Sequence, residues 1–354
     1  MMCSMAMTVL LRRAAAVAAL AAAASLGGCG GKSSHSQTAT GSGTTQTAAE
    51  PPLTASGPPT VVATGIPYPE ALAADAHGGL WVVSATLGRT PSEGVWYVPP
   101  GGRPRHVGLA GATALLWHGN QLYEAANTGP GTGQVSLLED FTGHGFAHRR
   151  VLVRAVPVGS RTIGSIVQGP NGRLFIGTGA VGDQGPAGHI LSFAPSGGTP
   201  TNEANGLRTD LGLAFWGRRL LITVNGPDTA ANSPDELQSF EPGGQVVNFG
   251  FPKCYGQGGS ACAGVPAPLV KFPSHSTPEG IVVKDGVAYV ADYGSSVPKY
   301  PTPTGIVRVD LRTGHTNMFW RSPVAHDLIG LALGADGNLY AMLTLSGKVV
   351  RFPL

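Results

Sequence analysis

The stretch "PEGIVVKDGVAYVADYG", residues 278–294, carries the clearest signal for the fold. It contains two apolar runs on either side of Asp285-Gly286, a dipeptide that favours the tight turn of a β-hairpin. The second run carries an aromatic residue, Tyr289, near its start. The stretch therefore predicts two antiparallel strands joined by a two-residue turn.

The same pattern occurs six times along the chain. The other copies are "PEALAADAHGGLWVVSA" (69–85), "ATALLWHGNQLYEAAN" (112–127), "IGSIVQGPNGRLFIGTG" (163–179), "DLGLAFWGRRLLITVNG" (210–226) and "IGLALGADGNLYAMLT" (329–344). A third strand-like phrase follows most copies, as in "GVWYVPPGG" and "GIVRVDLRTG", and a looser fourth leads to the next copy. Four-stranded units repeated every 40–50 residues or so are typical of a β-propeller. Six copies predict an all-β, six-bladed propeller.

The two ends of the repeat region predict how the ring closes. The last copy is followed by "GKVVRFPL", which supplies a third strand and no fourth, whereas "PTVVATG" (59–65) precedes the first copy. We expect this N-terminal strand to complete the sixth blade and close the ring. The 53 glycines and 29 prolines of the chain leave few helical signals to compete.

The N-terminus predicts export. Arg12 and Arg13 precede the apolar run 14–26, which is typical of a secretory signal. The following Leu-Gly-Gly-Cys resembles the lipobox of bacterial lipoproteins and would make Cys29 the lipid-modified first residue. An ordinary signal with an incidental cysteine is the alternative.

The segment after the signal predicts a tether. Residues 30–59 consist almost wholly of Gly, Ser, Thr, Ala, Gln and Pro, too few apolar side chains to offset the entropy of ordering. We therefore predict a lipoprotein signal peptide at 1–28, a lipidated cysteine and flexible tether at 29–59, and a propeller at 60–354. The propeller would be anchored to the extracytoplasmic side of the cell membrane.

Charge and cysteines limit the possible partners. The formal net charge of +3 includes the two arginines of the signal, so the remainder carries +1. This balance argues against nucleic acid and leaves the lipid anchor as the only membrane contact; we expect a monomer. Cys254 and Cys262 are eight positions apart with glycines between them, which in an exported protein favours a disulfide. A metal-binding pair is the alternative.

Residues 188–256 resemble a known family. The phrases "GHILSFAPSGG", "GLRTDLGLAF", "NGPD", "DELQSFEPGG" and "NFGFPKCYG" together look like the glucose/sorbosone dehydrogenases, six-bladed propellers that use pyrroloquinoline quinone (PQQ) and calcium. The resemblance covers most of residues 60–354. It implies an oxidoreductase that acts on the CH-OH groups of an aldose or another small polyol.

The resemblance also implies metal sites. The carbonyls of Gly226 and Pro227 would contact the calcium of the cofactor, and Asp235 would belong to a structural calcium site. Read without the resemblance, Asp228, Asp235, Glu236 and nearby carbonyls could supply several of the six to eight oxygens that calcium takes. An exposed acidic loop is the alternative.

The chain departs from the family at the cofactor. Arg161 stands where the family has its histidine base, and an arginine cannot accept a proton at neutral pH, so no catalytic residue is assigned. The cofactor-contacting Arg-Asn pair of the family becomes Arg208-Thr209, and Lys299 is the one cation in the later cofactor segment. Because PQQ carries three carboxylates, these changes predict a degraded cofactor site.

Three functional hypotheses follow. The first is a surface-anchored propeller resembling PQQ- and calcium-dependent sugar dehydrogenases, with a degraded catalytic site. The second is a non-catalytic propeller that binds a glycan of the cell envelope or a protein. The third is a metal-dependent lactonase-like or lyase-like propeller, for which Glu70, Asn225 and Asp292 would converge on the channel.

Overall fold

The computed structural model describes residues 57–84, 93–159, 162–229, 233–256, 258–295, 297 and 299–354. These residues form six β-sheets, and the predicted six-bladed propeller is confirmed. The signal peptide, Cys29, nearly all of the tether and Arg161 lie outside the described residues.

Blades 1 to 3 follow the first three copies of the repeat, each counted from the inner strand outward. Blade 1 contains β2 (Pro69–Ala74), β3 (Leu80–Ser84), β4 (Gly94–Val98) and β5 (Arg105–Gly108). Blade 2 contains β6 (Ala112–His118), β7 (Gln121–Gly129), β8 (Thr132–Phe141) and β9 (Phe146–Pro157). Blade 3 contains β10 (Ile163–Gln168), β11 (Leu174–Thr178), β12 (Gly188–Phe193) and β13 (Thr201–Leu207).

Blades 4 to 6 follow the last three copies. Blade 4 contains β14 (Thr209–Trp216), β15 (Arg219–Asn225), β16 (Pro234–Phe240) and β18 (Val270–Ser274). Blade 5 contains β19 (Pro278–Lys284), β20 (Val287–Asp292), β21 (Gly305–Asp310) and β22 (Thr316–Arg321). Blade 6 contains β23 (Leu331–Leu333), β24 (Leu339–Leu343), β25 (Lys348–Phe352) and, outermost, β1 (Thr60–Thr64).

The ring closes as predicted, because the N-terminal strand β1 completes the last blade. It pairs antiparallel with β25, and Val61 lies opposite Val350. The backbone N–H of Gly65 donates to the carbonyl of Gly347 at 2.9 Å just beyond the strand. Strands from the two ends of the propeller region thus share one sheet, which protects an edge that would otherwise be open.

The hairpin signals of the sequence form as turns. In the stretch that defined the repeat, Asp285 and Gly286 have φ values of 51° and 80°. Both central residues of a type I′ turn require φ above zero, which glycine and aspartate tolerate best. Lys284 and Val287 pair directly across this turn.

The core consists of apolar clusters between neighbouring blades. The largest side chains with almost no exposure include Trp81, Phe175, Phe193 and Phe352. One cluster joins Leu237 of blade 4 to Val290 and Val309 of blade 5, and the other clusters join the other blades in the same way. Burial of these side chains contributes about 25 cal/mol per Å² of apolar surface.

The connection 241–269 adds a feature that the repeat did not predict. Within it β17 (Val247–Asn248) pairs parallel with β13 and gives blade 3 a fifth strand. Cys254 and Cys262 form the predicted disulfide in this connection, and Ser260–Cys262 forms one turn of 3₁₀ helix. Within the described residues, no helix has the length and apolarity needed to cross a membrane.

Candidate functional site

Polar residues gather at one end of the ring. Successive strands of a blade are antiparallel. The connection from the second to the third strand of each blade therefore lies at the same end of the ring as the connection from the outermost strand to the innermost strand of the next blade. We call this end the upper rim. At blades 3 to 5 it includes the segments 179–187, 226–229, 275–277 and 293–304.

Arg208 lies between β13 and β14 and is bound by two aspartates. Its Nε donates to Asp183 Oδ1 at 2.8 Å, and its Nη2 donates to Asp228 Oδ2 at 2.7 Å. The backbone N–H and the hydroxyl of Thr229 donate to the other oxygen of Asp183 at 3.2 and 3.0 Å. Although burial opposes the shift, the charge of Arg208 holds the pKa of Asp183 below its ordinary value. One positive and two negative charges give this group, the Arg208 trio, a net charge of −1.

Asp235, the first acid of the Asp-Glu pair, holds two connections together. Its Oδ1 accepts the backbone N–H of Gly226 at 2.7 Å, and its Oδ2 accepts that of Thr277 at 2.6 Å. A Cβ at Gly226 would overlap Ser233 Oγ, so a larger residue here would have to displace that side chain. Burial raises the pKa of Asp235 to about 6, against the opposing effect of the two N–H donors. Asp235 therefore positions the 226–229 turn.

Asp292 is a second buried acid beside Asp235. It ends β20, its Oδ1 accepts the backbone N–H of Gly294 at 3.0 Å, and only 4% of the residue is exposed. Burial raises the pKa of Asp292 to about 8, and the charge of Asp235 adds to the shift. A carboxyl whose pKa lies above 7 is mostly protonated at neutral pH.

A narrow cleft separates blades 3 and 4 below the Arg208 trio. Residues from β13, β15, β16 and the 241–269 connection line it: Gly206, Leu207, Arg208, Val224, Asn225, Gly226, Pro234, Glu236, Gln238, Phe249, Phe251, Cys254 and Tyr255. The volume open to the centre of a water molecule is about 10 Å³, room for about one water. A sugar ring or a quinone cofactor would have to bind above this cleft, at its mouth.

Some buried oxygen atoms of the residues that line the cleft have no hydrogen-bond donor. Among the described residues, Asn225 Oδ1, Glu236 Oε1 and Gln238 Oε1 are buried and have no hydrogen-bond partner. All three residues line the cleft. Unsatisfied buried acceptors are rare in folded proteins and favour a ligand or water that donates hydrogen bonds.

The predicted cofactor residues differ in their burial and in their partners. Arg208 is 4% exposed and ion-paired, whereas Lys299 is exposed, with its Nζ 5.4 Å from the centre of the Tyr300 ring. Thr209 is buried, and its hydroxyl has no hydrogen-bond partner among the described residues. Glu70, named for the third hypothesis, is exposed, whereas Asn225 and Asp292 are buried.

Sequence reasoning missed Asp183 and Thr277. Asp183 is a single acid in a glycine-rich connection, and Thr277 contributes only its backbone N–H to Asp235. Thr277 and the nearby His275 both have a φ of 61°, a conformation that few non-glycine residues adopt. The one available signal was the run "HSTP" before β19, which favours an irregular connection.

Among the described residues, the Arg208 trio is a poor match for PQQ. The cofactor carries three carboxylates, and the Arg208 trio would present them with a net negative charge. Thr209 offers a hydroxyl in place of an amide, and Lys299 lies on an exposed connection. Charges of like sign a few ångströms apart repel, especially where water is partly excluded.

Two acids of the predicted calcium region have other partners in this structure. Both oxygens of Asp235 already accept backbone N–H groups, and Asp228 is bound to Arg208. Within the part of the chain that the structure describes, no group of three or more His, Cys, Asp or Glu side chains could hold a metal. Calcium takes six to eight oxygen ligands. Asp235 and Asp228 therefore already have other partners, and calcium binding by the carbonyls of Gly226 and Pro227 and by Glu236 stays a prediction.

The fold defines the class: a six-bladed β-propeller. The PQQ-bound aldose sugar dehydrogenase of Streptomyces coelicolor is similar, with a TM-score of 0.66 and 22% identity over 86% of this chain and 99% of that one. A putative glucose dehydrogenase of Thermus thermophilus has a TM-score of 0.65 and 21% identity over 84% and 99%.

A third similar structure is the Trichoderma reesei protein of the carbohydrate-active enzyme family AA12, solved with calcium. Its TM-score is 0.67 and its identity 15%, over 84% of this chain and 95% of that one. No protein-family model and no curated protein sequence matches the chain. At these identities the likeness shows the fold alone.

Proposed function

We propose that this protein is a sugar- or polyol-binding propeller whose upper rim no longer holds PQQ. The observation that carries the proposal is the engagement of Arg208 by Asp183 and Asp228, at 2.8 and 2.7 Å. This group gives the rim a net negative charge where a tricarboxylate would need cations. The similar sugar dehydrogenases support a carbohydrate as the ligand class.

The same residues suit a neutral, hydroxyl-rich ligand. Hydroxyls donate hydrogen bonds, and ionised carboxylates only accept them. Asp228 keeps 74% of its side chain exposed although it is bound to Arg208, so it can accept from a ligand at the rim. The buried acceptors Asn225, Glu236 and Gln238 line the cleft, and its small volume leaves a sugar ring at the mouth.

The first experiment titrates the purified protein with PQQ, with and without calcium, and follows the fluorescence of the five tryptophans. We expect no saturable quenching. A panel of aldoses, polyols and cell-envelope glycans is then tested by calorimetry, and we expect at least one to bind. Saturable, calcium-dependent PQQ binding would overturn the proposal in favour of a dehydrogenase.

A matched pair of variants locates the ligand. Asp228→Asn changes an exposed aspartate at the rim, and Asp140→Asn changes one in blade 2 whose side chain is 72% exposed and bound to His148. We expect Asp228→Asn to weaken sugar binding by about tenfold, the equivalent of about 1.4 kcal/mol. Asp140→Asn should leave the affinity unchanged, and equal effects of both variants would contradict a rim site.

The second candidate is turnover of the bound sugar or of a derived lactone. It is favoured by Asp292, a buried carboxyl at the end of β20 beside the upper rim, because burial raises its pKa to about 8 and it can therefore donate a proton at neutral pH. The test is hydrolysis of a panel of sugar lactones by wild type and by Asp292→Asn. Turnover lost in Asp292→Asn but kept in Asp140→Asn would favour the enzyme over the binding protein.

The location of the protein is part of the proposal. Lipidation of Cys29 would anchor the propeller to the outer side of the cell membrane, where envelope glycans are the nearest carbohydrates. Release of the protein from membranes by Cys29→Ser, with an unchanged propeller, is the expected result. Continued membrane association of that variant would contradict the lipid anchor.

A further inference from the structure

Residues 249–265 of the 241–269 connection pack against blade 4, and the closest contact is at Gly256. Phe249 and Phe251 are buried, and the Cys254–Cys262 disulfide closes the middle of the segment. Gly256, just beyond Cys254, has a φ of 85°, and a Cβ there would overlap Glu236 Oε1. The backbone of the connection therefore lies directly on a buried carboxylate.

That carboxylate has a single hydrogen-bond donor. Glu236 is 5% exposed, and its Oε2 accepts the amide of Gln238 at 2.6 Å. Its Oε1 has no hydrogen-bond partner among the described residues. An ionised carboxylate in such a place needs a positive charge nearby to offset its burial.

Lys271 provides that charge from the adjacent strand. It lies directly opposite Glu236 in the β16–β18 ladder, so the two side chains project from the same face. Its Nζ donates to the carbonyl of Gly256 at 2.7 Å. Gly256 is thus held between the carboxylate of Glu236 and the ammonium of Lys271. Burial raises the pKa of Glu236, and the Lys271 charge acts in the opposite direction.

We propose that Lys271 takes the place of a metal ion beside Glu236, so that the 249–265 connection is held without calcium. The resemblance implied a structural calcium at this Asp-Glu pair. Here Asp235 is occupied by two backbone donors, and the Gly256 carbonyl is occupied by an ammonium. A divalent cation brought to Glu236 would be repelled by the ammonium bound to the neighbouring Gly256 carbonyl. The inference is independent of the ligand that the upper rim binds.

The test compares two lysines that make the same kind of contact. Lys271 donates to the Gly256 carbonyl, and Lys284 of blade 5 donates to the Gly337 carbonyl of blade 6 at 2.9 Å. Lys271→Gln and Lys284→Gln each remove one such bond, but only Lys271 lies opposite a buried carboxylate. Thermal unfolding of the purified, oxidised protein is followed in excess EDTA and in millimolar calcium chloride.

For the wild type we expect melting temperatures in EDTA and calcium that agree within about 1 °C. Lys271→Gln should lower the melting temperature by about 2–4 °C more than Lys284→Gln, as the loss of roughly 1 kcal/mol would do. Stabilisation of the wild type by calcium would overturn the proposal, because a metal would then occupy the site. Equal losses from the two lysine variants would overturn it too, because Lys271 would then be an ordinary surface lysine.

Discussion

Blade 2 and the upper rim each place an arginine beside an acid, and they do so in opposite ways. In blade 2, Glu124 of β7 is fully buried and Arg149 of β9 is 42% exposed, with Nη2 2.8 Å from Oε2. At the rim it is the arginine, Arg208, that is buried, while Asp228 is 74% exposed. The blade 2 pair joins strands of one sheet, and the Arg208 trio joins three connections and presents a carboxylate to solvent.

The contrast between the blade 2 pair and the Arg208 trio shows which charged groups a ligand can reach. In the blade 2 pair the carboxylate is fully buried and only the arginine reaches solvent, so no carboxylate is presented to a ligand. Burial raises the pKa of Glu124 to about 7, opposed by the Arg149 charge, so this acid can become neutral if its arginine is lost. The pKa of Asp183 is instead held low by Arg208, so the rim stays charged. Three predictions test this contrast.

The largest effect is expected from removal of each arginine. Arg208→Met leaves two aspartates without a cation and should lower the free energy of unfolding by about 3–5 kcal/mol at neutral pH. At pH 6, Arg149→Met should lower the free energy of unfolding by less than half as much as Arg208→Met, because Glu124 can take up a proton. At pH 8, Arg149→Met should lower it by more than at pH 6. Urea denaturation at both pH values measures this difference. Equal costs at pH 6 would show that the two regions do not differ as described.

A loss of comparable size is expected from Asp235→Ala. The variant leaves the N–H groups of Gly226 and Thr277 without their acceptor, at about 1–3 kcal/mol for each buried donor. The 226–229 turn should loosen, so sugar binding should weaken together with stability. Denaturation and calorimetry on the same preparation test this prediction. A loss of stability with unchanged sugar affinity would separate the turn from the ligand site.

The most gradual effect is a dependence of stability on pH. Asp235 and Asp292 have pKa values of about 6 and 8, above the ordinary aspartate value of about 3.9 in an unfolded chain. The folded state therefore binds these protons more tightly, so stability is greatest below pH 4 for these two groups and is lost as the pH rises towards 8. For one group the slope is at most about 1.4 kcal/mol per pH unit.

Asp292→Asn isolates the larger part of this dependence, because asparagine resembles the protonated acid. We expect a flatter stability profile between pH 6 and 8 and a higher melting temperature than the wild type at pH 8. Asp140→Asn serves as the control and should keep the wild-type profile. A wild type that becomes more stable from pH 5 to 8 would contradict the expected direction.

The propeller could be predicted from the amino-acid sequence because its signals are local. Asp285-Gly286 specifies a turn between adjacent strands, and six such hairpins specify six blades. Closure by β1 followed from counting, since the last repeat lacked one strand and the N-terminus carried one extra. The Cys254–Cys262 disulfide was also within reach, because only eight positions separate the two residues. Apart from the closure of the ring, each of these features depends on residues that are close together in the sequence.

The roles of the polar residues, in contrast, emerge only in the folded chain. The arginine that the resemblance assigned to a cofactor is bound by Asp183 and Asp228, which are 25 and 20 positions away in opposite directions. Asp235 accepts from a backbone N–H 42 residues further on, and the register of β16 against β18 places Lys271 opposite Glu236. A residue type and its spacing do not reveal such contacts, because the energy of a buried charge depends on distant groups that the fold brings within hydrogen-bond distance.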